Sequence, residues 1–388
     1  MAGTLTVDTI QSDSSYASTL NVASKINFTS GMQIGGQDTT FGGMRNRIIN
    51  GDMRIAQRGT SAFTSTTSSL YTLDRWTTYG SGGSQFTVQQ NAGSITPPVG
   101  FTNYLGVVNS ATPTTPSGTQ EYDVYQYIEG YNIADLGWGT ANAKPVTLSF
   151  WVRSSITGTF GGALGNSGST RTYPFNYTIS SSNTWEQKTV TIPGDTSGTW
   201  LTDNGAGISL TFSLGAGSTK SGTANTWAGA NYTQPTGSTA LVSTASATWQ
   251  LTGVQLEKGS AASAFEYRQY GTELQLCQRY YTRYQAPSND YTITTGYMYS
   301  GGNSWAGGIL TPVPMRSTPS LSNIGSGIKL YGLPSGAVSI SSVTAVTWTA
   351  YSFWVTIDIT AASTMTNNSI VALTNNAGYG GFALSAEI

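Results

Sequence analysis

Histidine is absent from all 388 residues. That one absence removes Ser-His-Asp and Cys-His catalysis, His-ligated zinc and the usual proton shuttle of neutral pH. Cysteine occurs once, at Cys277, so the chain holds no internal disulfide and no cysteine-rich metal site. Charge is scarce: 17 basic and 18 acidic side chains make up 9% of the chain and leave a formal net charge of −1, where soluble domains average about 25% charged residues. A nucleic-acid partner is not expected, because phosphate binding draws on a surplus of Lys and Arg. Long apolar runs are missing too. Stretches such as 148–152 and 353–355 fall far short of the ~20 residues of a membrane helix, so no membrane insertion is expected. Residues 1–15 carry acids where a signal peptide has a basic region, and they lack an apolar stretch. The expectation is synthesis in a cytoplasm without signal-directed secretion.

What the chain has instead is 47 glycines, 22 tyrosines and 10 tryptophans, with aromatics at 11%. That aromatic content, with little charge, argues against disorder. Apolar residues alternate with Ser, Thr and Gln at 146–152, 188–192, 208–212, 249–256 and 353–359, the pattern of half-buried strands in an all-β chain. No fixed-period repeat is present. Residues 1–44 contain short alternating pieces at 4–10, 20–28 and 32–34 with too few large side chains for a core of their own, so they are expected to fold against another chain or remain a loose leader. The spacing of Leu274, Cys277 and Tyr281 predicts one helix over 270–281, with Thr272 as cap and Glu273 in its first turn, marking a boundary near residue 269.

The stretch 45–60 (RNRIINGDMRIAQRGT), followed by 71–76 (YTLDRW), resembles the opening of the central domain of bacteriophage tail fibre and receptor-binding proteins. The resemblance continues at 252–259 (TGVQLEKG), 264–266 (AFE) and 273–281 (ELQLCQRYY), the other end of the same domain. Between them, 146–153 and 184–192 are similar to paired strands of jelly-roll carbohydrate-binding modules, and 311–319 with 381–388 are similar to the distal part of such fibres. The resemblance implies a β-sandwich that recognises sugars or mediates fibre contacts, usually in a homotrimer. Many such modules hold a structural calcium with an acid on the last strand. Here that strand reads Leu251-Thr252-Gly253-Val254, with no acid before Glu257.

Flat aromatic faces stack on the C–H patches of sugars while amides, hydroxyls and carboxylates take the hydroxyl hydrogen bonds. Trp138, Trp200 with Asp203, Trp227 with Tyr232, Tyr297 and Trp305 fit that description as candidate glycan contacts. For any one Trp the alternative is that it covers an edge of the sandwich. Trp76, Trp151, Trp249 and Trp354 sit in strand patterns and are taken as core. Arg45, Arg47, Arg54 and Arg58 form the basic cluster. An anionic glycan or lipopolysaccharide phosphate would suit it, but pairing with Asp74 or Glu266 at the domain base is the favoured reading. Glu121 with Asp123, which would share a strand face, and Asp195 with Asp203 are the acid pairs near enough in sequence to consider for glycoside cleavage. Neither lies in a catalytic motif, and no catalytic residue, metal or cofactor is expected. Glycine runs such as 161–162 are read as turns and tight approaches.

The expectation is therefore an all-β chain with an extended N-terminal β segment for virion attachment and trimerisation (1–44) and a jelly-roll β-sandwich resembling a carbohydrate-binding module (45–268). A short linking helix and a C-terminal β-sandwich domain, the candidate receptor-binding tip, follow (269–388). Expected partners are other tail or baseplate proteins through 1–44 and a bacterial surface glycan, with the protein working as a non-enzymatic homotrimer on a virion tail. The N-terminal strands and the Tyr-rich helix are expected near the three-fold contacts. The rival readings are a purely structural tail or capsid appendage and a polysaccharide depolymerase.

Overall fold

Alternating apolar and polar residues commit each strand to one buried face and one wet face, and two such sheets bury their apolar faces together. The computed structural model describes residues 45–285, 291–299, 303–324, 328–332, 336–347, 354–361, 370–375 and 381–388, with a short paired stretch at Gln33–Ile34 and Gln37–Asp38. The strands expected at 4–10 and 20–28, and the attachment and trimerisation role given to 1–44, fall outside the described residues.

The first domain is two six-stranded antiparallel sheets. One runs Thr172–Ile179, Gly158–Gly165, Ala206–Ala216, Glu121–Glu129, Thr77–Gly80, Leu70–Tyr71, and the other Glu186–Ile192, Val146–Ser154, Thr248–Lys258, Leu105–Asn109, Phe86–Gln90, Phe63–Thr64. The chain passes repeatedly between them, as in a jelly roll. Each strand expected in this domain is present and slightly longer than the alternation marked. Between the sheets Phe150 meets Tyr177 and Phe212 edge-on at 5.1 and 5.0 Å. Trp249 donates its indole N–H to the Tyr177 hydroxyl at 3.2 Å, and Trp76 donates to the Asn50 carbonyl at 3.0 Å. Such partners matter because a buried polar group left alone costs about 1–3 kcal/mol. Trp151 departs from its expected core place. Leu148, Phe150 and Val152 point inward, so alternation turns Trp151 outward, where it is half-buried beside Gly253. The strand Trp354–Ala361 covers the expected 353–359 from its second residue on, and the Trp354 side chain lies outside the described ones.

The motif at 45–60 is the base of this sandwich. Asn50 sits in left-handed backbone (φ 58), and its side chain donates to the carbonyls of Ile55 and Asp74 and accepts the Ile55 N–H. Gly51 is pressed so close to the Val254 carbonyl that any Cβ there would collide with it. The arginines are paired, but of the expected partners only Asp74 takes an arginine of the cluster, Arg58, as an ion pair; Arg45 lies 3.5 Å from Glu257. Both Glu266 carboxylate oxygens receive backbone N–H groups, from Arg45 (3.0 Å) and Asn46 (2.9 Å), Arg58 pairs with Asp74 at 3.3 Å, and Arg47 pairs with Asp135 at 2.8 Å. Arg54 pairs with Asp52.

The helix spans Tyr270–Gln278 and starts two residues before its expected cap. Gln269 is the cap position and makes no side-chain cap bond, while Thr272 lies inside the helix and exposed. Its Cys277, with Tyr280 beyond, packs on Ile49 and Ile55 of the base, so this apolar side meets its own chain. Beyond it the structure corrects the expected C-terminal sandwich. A three-stranded sheet (Tyr281–Gln285, Gly381–Ser385, Ser320–Ile324) supports a closed six-stranded antiparallel barrel of Tyr291–Tyr299, Ser304–Leu310, Trp354–Ala361, Gly336–Thr347, Ile328–Gly332 and Ile370–Asn375. The last strand returns to the first, so the barrel is an excursion whose two ends meet at the domain junction. There Glu387 bridges Arg58 and the buried Arg75, and Arg316 donates to the carbonyls of Ala386 (2.6 Å), Glu387 (2.8 Å) and Asn204 (2.7 Å). The motif at 311–319 thus clamps the chain end to a jelly-roll loop.

Candidate functional site

On the strand Glu121–Glu129, Tyr122, Val124 and Ile128 are buried in the core, so Glu121, Asp123, Tyr125 and Tyr127 emerge together on the outer face of the sheet. Glu121 and Asp123 do share a face, as their spacing required. Register then builds the rest. Tyr79 lies opposite Asp123 on one side. On the other side Ser213, Thr211 and Ser209 lie opposite Asp123, Tyr125 and Tyr127, and Gly161, Ala163 and Gly165 lie opposite those. Rings on two strands beside minimal side chains on the next two leave a trough of about 350 Å³, closed on its far side by Ser169, Thr172 and the loop residues Asn231, Tyr232 and Thr233. Gly161 and Gly162, read as turns and tight approaches, are in mid-strand and are tight approaches, since a Cβ would collide with Pro235 at the first and with the Phe175 ring at the second. Gly222 leaves room for the Tyr232 ring, which a Cβ there would overlap.

The polar groups of the trough fall into two kinds. Some are engaged: the Tyr125 hydroxyl donates to Ser69 at 2.6 Å, its ring meets Tyr127 edge-on at 5.3 Å, and Glu121 pairs with Lys220 at 3.0 Å. Others are not. Asp123 is 4% exposed and its Oδ1 has no hydrogen-bond partner, and the same holds for the buried Thr233 Oγ1 on the opposite wall. Burial pushes the Asp123 carboxyl well above the usual carboxylate range and nearby Glu121 adds to the rise, while the Ser213 hydroxyl and Lys220 oppose it. Burial likewise raises the Tyr125 and Tyr127 hydroxyls, so both are neutral phenols.

Of the candidate glycan contacts, Tyr232 alone lines this trough, together with the acid pair Glu121 and Asp123 that had been considered for cleavage. Trp138, Trp200 and Trp227 do come together, but as a packed edge cluster with ring centroids 4.6–5.6 Å apart in T-shaped contacts. Trp138 and Trp200 are 7% and 8% exposed, which leaves neither a free face for a sugar. Asp203 is exposed and accepts the Gly205 N–H at 2.8 Å, shaping its own turn. Asp195 is held by Arg171 through two bonds of 2.7 Å, so the Asp195–Asp203 pair forms no joint site. Trp305 is in the barrel strand Ser304–Leu310 instead of a loop, and it is fully buried under Gly296 and Gly307. Tyr297 is on the barrel exterior and 55% exposed, far in sequence from the trough residues. The trough residues that sequence reading passed over are Tyr79, Asp123 as a binding group, Tyr125, Tyr127 and Thr233. Their signal is the alternation Glu121, Asp123, Tyr125, Tyr127, which puts acids and rings on one strand face.

No protein-family model matches the sequence, and no curated protein does. Among solved structures the chain is similar to the enzymatically active domain of tailspike protein 4 of bacteriophage CBA120, at 12% identity and a TM-score of 0.29, over 55% of this chain and 21% of that one. It is also similar to the family 11 carbohydrate-binding module of a cellulosomal cellulase of Clostridium thermocellum, at 13% identity and a TM-score of 0.25, over 54% of this chain and 98% of that one. A tandem domain of two family 22 carbohydrate-binding modules from Paenibacillus barcinonensis matches at 10% identity and a TM-score of 0.24, over 85% of this chain and 98% of that one. These likenesses are weak, and the trough is read from its own residues.

The calcium of many such modules does not fit here. The fully buried Glu257 is the first acid at the end of its strand, and its oxygens already accept from Gln255 (2.9 Å) and from the Ser263 N–H (2.8 Å) and hydroxyl (2.6 Å). Among the described residues no three acids, cysteines or histidines converge. Among them, too, no helix is long and apolar enough to cross a membrane.

Proposed function

We propose that this chain is a receptor-binding or tail-fibre protein of a bacteriophage virion that holds bacterial surface glycans in the jelly-roll trough. The observation that carries the reading is the trough itself, where Tyr79, Tyr125, Tyr127 and Tyr232 stand over a floor of Gly, Ala, Ser and Thr. Tyrosine faces take the apolar side of a sugar ring, and floor and wall hydroxyls exchange hydrogen bonds with its substituents. The resemblance of 45–60 and 252–281 to the ends of a fibre domain supports the virion setting. In this reading each site is weak, and three copies per fibre make adhesion effective through multivalency.

Adhesion here is non-catalytic. Cleavage needs two carboxylates about 5–10 Å apart across a glycosidic bond. Glu121 and Asp123 are the two acids lining the trough, both stand on one strand, and Glu121 is tied to Lys220. The test is binding of the full chain to immobilised host-surface polysaccharide, with polymer mass followed in the same samples. Retention that Tyr127→Ala abolishes, with polymer mass unchanged, supports the reading. Retention that survives Tyr127→Ala favours a structural appendage, and falling polymer mass favours a depolymerase. Light scattering on the intact chain adds the assembly test: a homotrimer has a mass of about 122 kDa, three times 40.8 kDa.

A further inference from the structure

Two buried polar atoms of the trough lack partners and lie on facing sides of one open space. Asp123 lies on the floor with Oδ1 unpartnered, and Thr233 Oγ1 is equally unpartnered on the facing wall. Buried polar groups are nearly always satisfied inside a fold, so two exceptions lining one trough point to a ligand that completes them. Neither atom takes part in a hydrogen bond of the fold. In the sheet Asp123 is flanked by Tyr79 and Ser213, and an alanine at that position would forfeit no bond made by Oδ1.

The charge around these atoms is one-sided. No Arg or Lys lines the trough, Glu121 and Asp123 do, and Lys220 behind them is already paired with Glu121. A sugar carboxylate or phosphate would enter without a counter-charge, beside two acids, and its oxygens are acceptors only. A sugar hydroxyl can both donate to Oδ1 and accept from Thr233.

We infer that the trough selects uncharged saccharides over acidic ones, and that Asp123, with Thr233 facing it, is the residue that makes the selection. This rests on the glycan reading above, and it goes further by naming the ligand class and the determinant. Asp123 thereby carries a trade between stability and binding: an unpartnered buried carboxyl weakens the fold while it waits for ligand.

The test is an oligosaccharide array on which neutral gluco-, galacto- and manno-oligosaccharides stand beside their uronic-acid counterparts, probed with the full chain. Expected are signals on neutral members at least about tenfold above their acidic counterparts, and a loss of about tenfold in Asp123→Ala, the effect of one well-formed hydrogen bond. Asp123→Asn, which keeps size and hydrogen-bonding atoms, stays within about threefold. The midpoint of thermal unfolding in Asp123→Ala is unchanged or higher, which a merely structural role would not allow. Equal binding to acidic members overturns the inference. So does unchanged binding in Asp123→Ala when Tyr125→Ala loses it. An array dark to the wild-type chain overturns the glycan reading instead, and this inference with it.

Discussion

Two aromatic clusters lie in the same jelly roll and differ in how their polar ends are used. In the edge cluster every indole N–H has a backbone acceptor: Trp138 donates to Lys144 at 2.7 Å, Trp200 to Ser197 at 3.1 Å and Trp227 to Pro193 at 2.9 Å. The rings cover each other, and nothing is left for a ligand. In the trough, Tyr125 and Tyr127 touch only by an edge, their strand neighbours across the sheet are Ser, Thr and Gly, and two buried polar atoms stay unpartnered. A high density of Trp therefore marks a closed edge here, while a lower density of Tyr marks the open site. Unsatisfied polar atoms separate the two better than aromatic content does.

The widest separation is expected in stability. Trp138→Ala removes a buried ring that two other tryptophans rest on, and such changes cost about 3–5 kcal/mol. Chemical denaturation should show that loss with glycan affinity intact in the fraction that remains folded. A Trp138→Ala chain that keeps its stability but loses binding would break the comparison outright.

Next in size is a pH effect confined to the trough. The folded chain holds the Asp123 proton more tightly than the unfolded chain, whose carboxyl titrates near 3.9. Its contribution is fully present below that pH and is lost as pH rises toward the raised folded value, with a slope of up to about 1.4 kcal/mol per pH unit for one proton. The groups facing it are Glu121, Lys220 and the hydroxyls of Tyr79 and Ser213, and Glu121 acts in the same direction as burial. Unfolding midpoints measured from pH 4 upward should fall more steeply for wild type than for Asp123→Asn. Parallel curves would mean that Asp123 is ionised in the fold.

What was legible in the sequence follows from which forces are local. Strands 146–154 and 248–258 declare themselves because alternation is imposed by two-sided burial, whereas the arginines at 45–58, with Asp52 the one acid in their own motif, draw most of their partners from other segments, of which Asp74 alone was expected. Trp151 was misplaced although its own strand held the answer, since residues of one parity cannot face both ways. The edge cluster was half legible. Trp138, Trp200 and Trp227 were singled out correctly as a set of non-strand aromatics, but their mutual packing joins three loops far apart in sequence. The trough was least legible, because its shape depends on register between four strands, above all on Gly161 and Gly165 falling opposite Ser213 and Ser209. Trp305 failed for the same reason: Gly296, which makes room for its indole, belongs to the neighbouring strand.

A smaller effect sharpens the same contrast. Tyr125→Ala is expected to lower glycan affinity by about tenfold, close to one stacked ring and its hydroxyl, while changing stability by less than about 1 kcal/mol because the ring is only half-buried. Isothermal titration beside thermal unfolding reads both quantities on one preparation. A stability loss matching that of Trp138→Ala would make the trough a second packed edge.

The smallest expected effect is the response to salt. A trough without Arg or Lys, holding an uncharged ligand by stacking and neutral hydrogen bonds, has little long-range charge to screen, so affinity should change by less than about twofold between about 0.05 and 0.5 M salt. The basic residues that could behave otherwise are already engaged: Arg45, Arg47, Arg54 and Arg58 each pair with an acid of the domain base. Competition from salt at that base would first have to break these pairs, and would then show as destabilisation alongside weaker binding. A steep loss of affinity with salt at constant stability would move the contact surface from the Tyr-lined trough to the arginines and would reverse the expected preference, favouring acidic glycans over neutral ones.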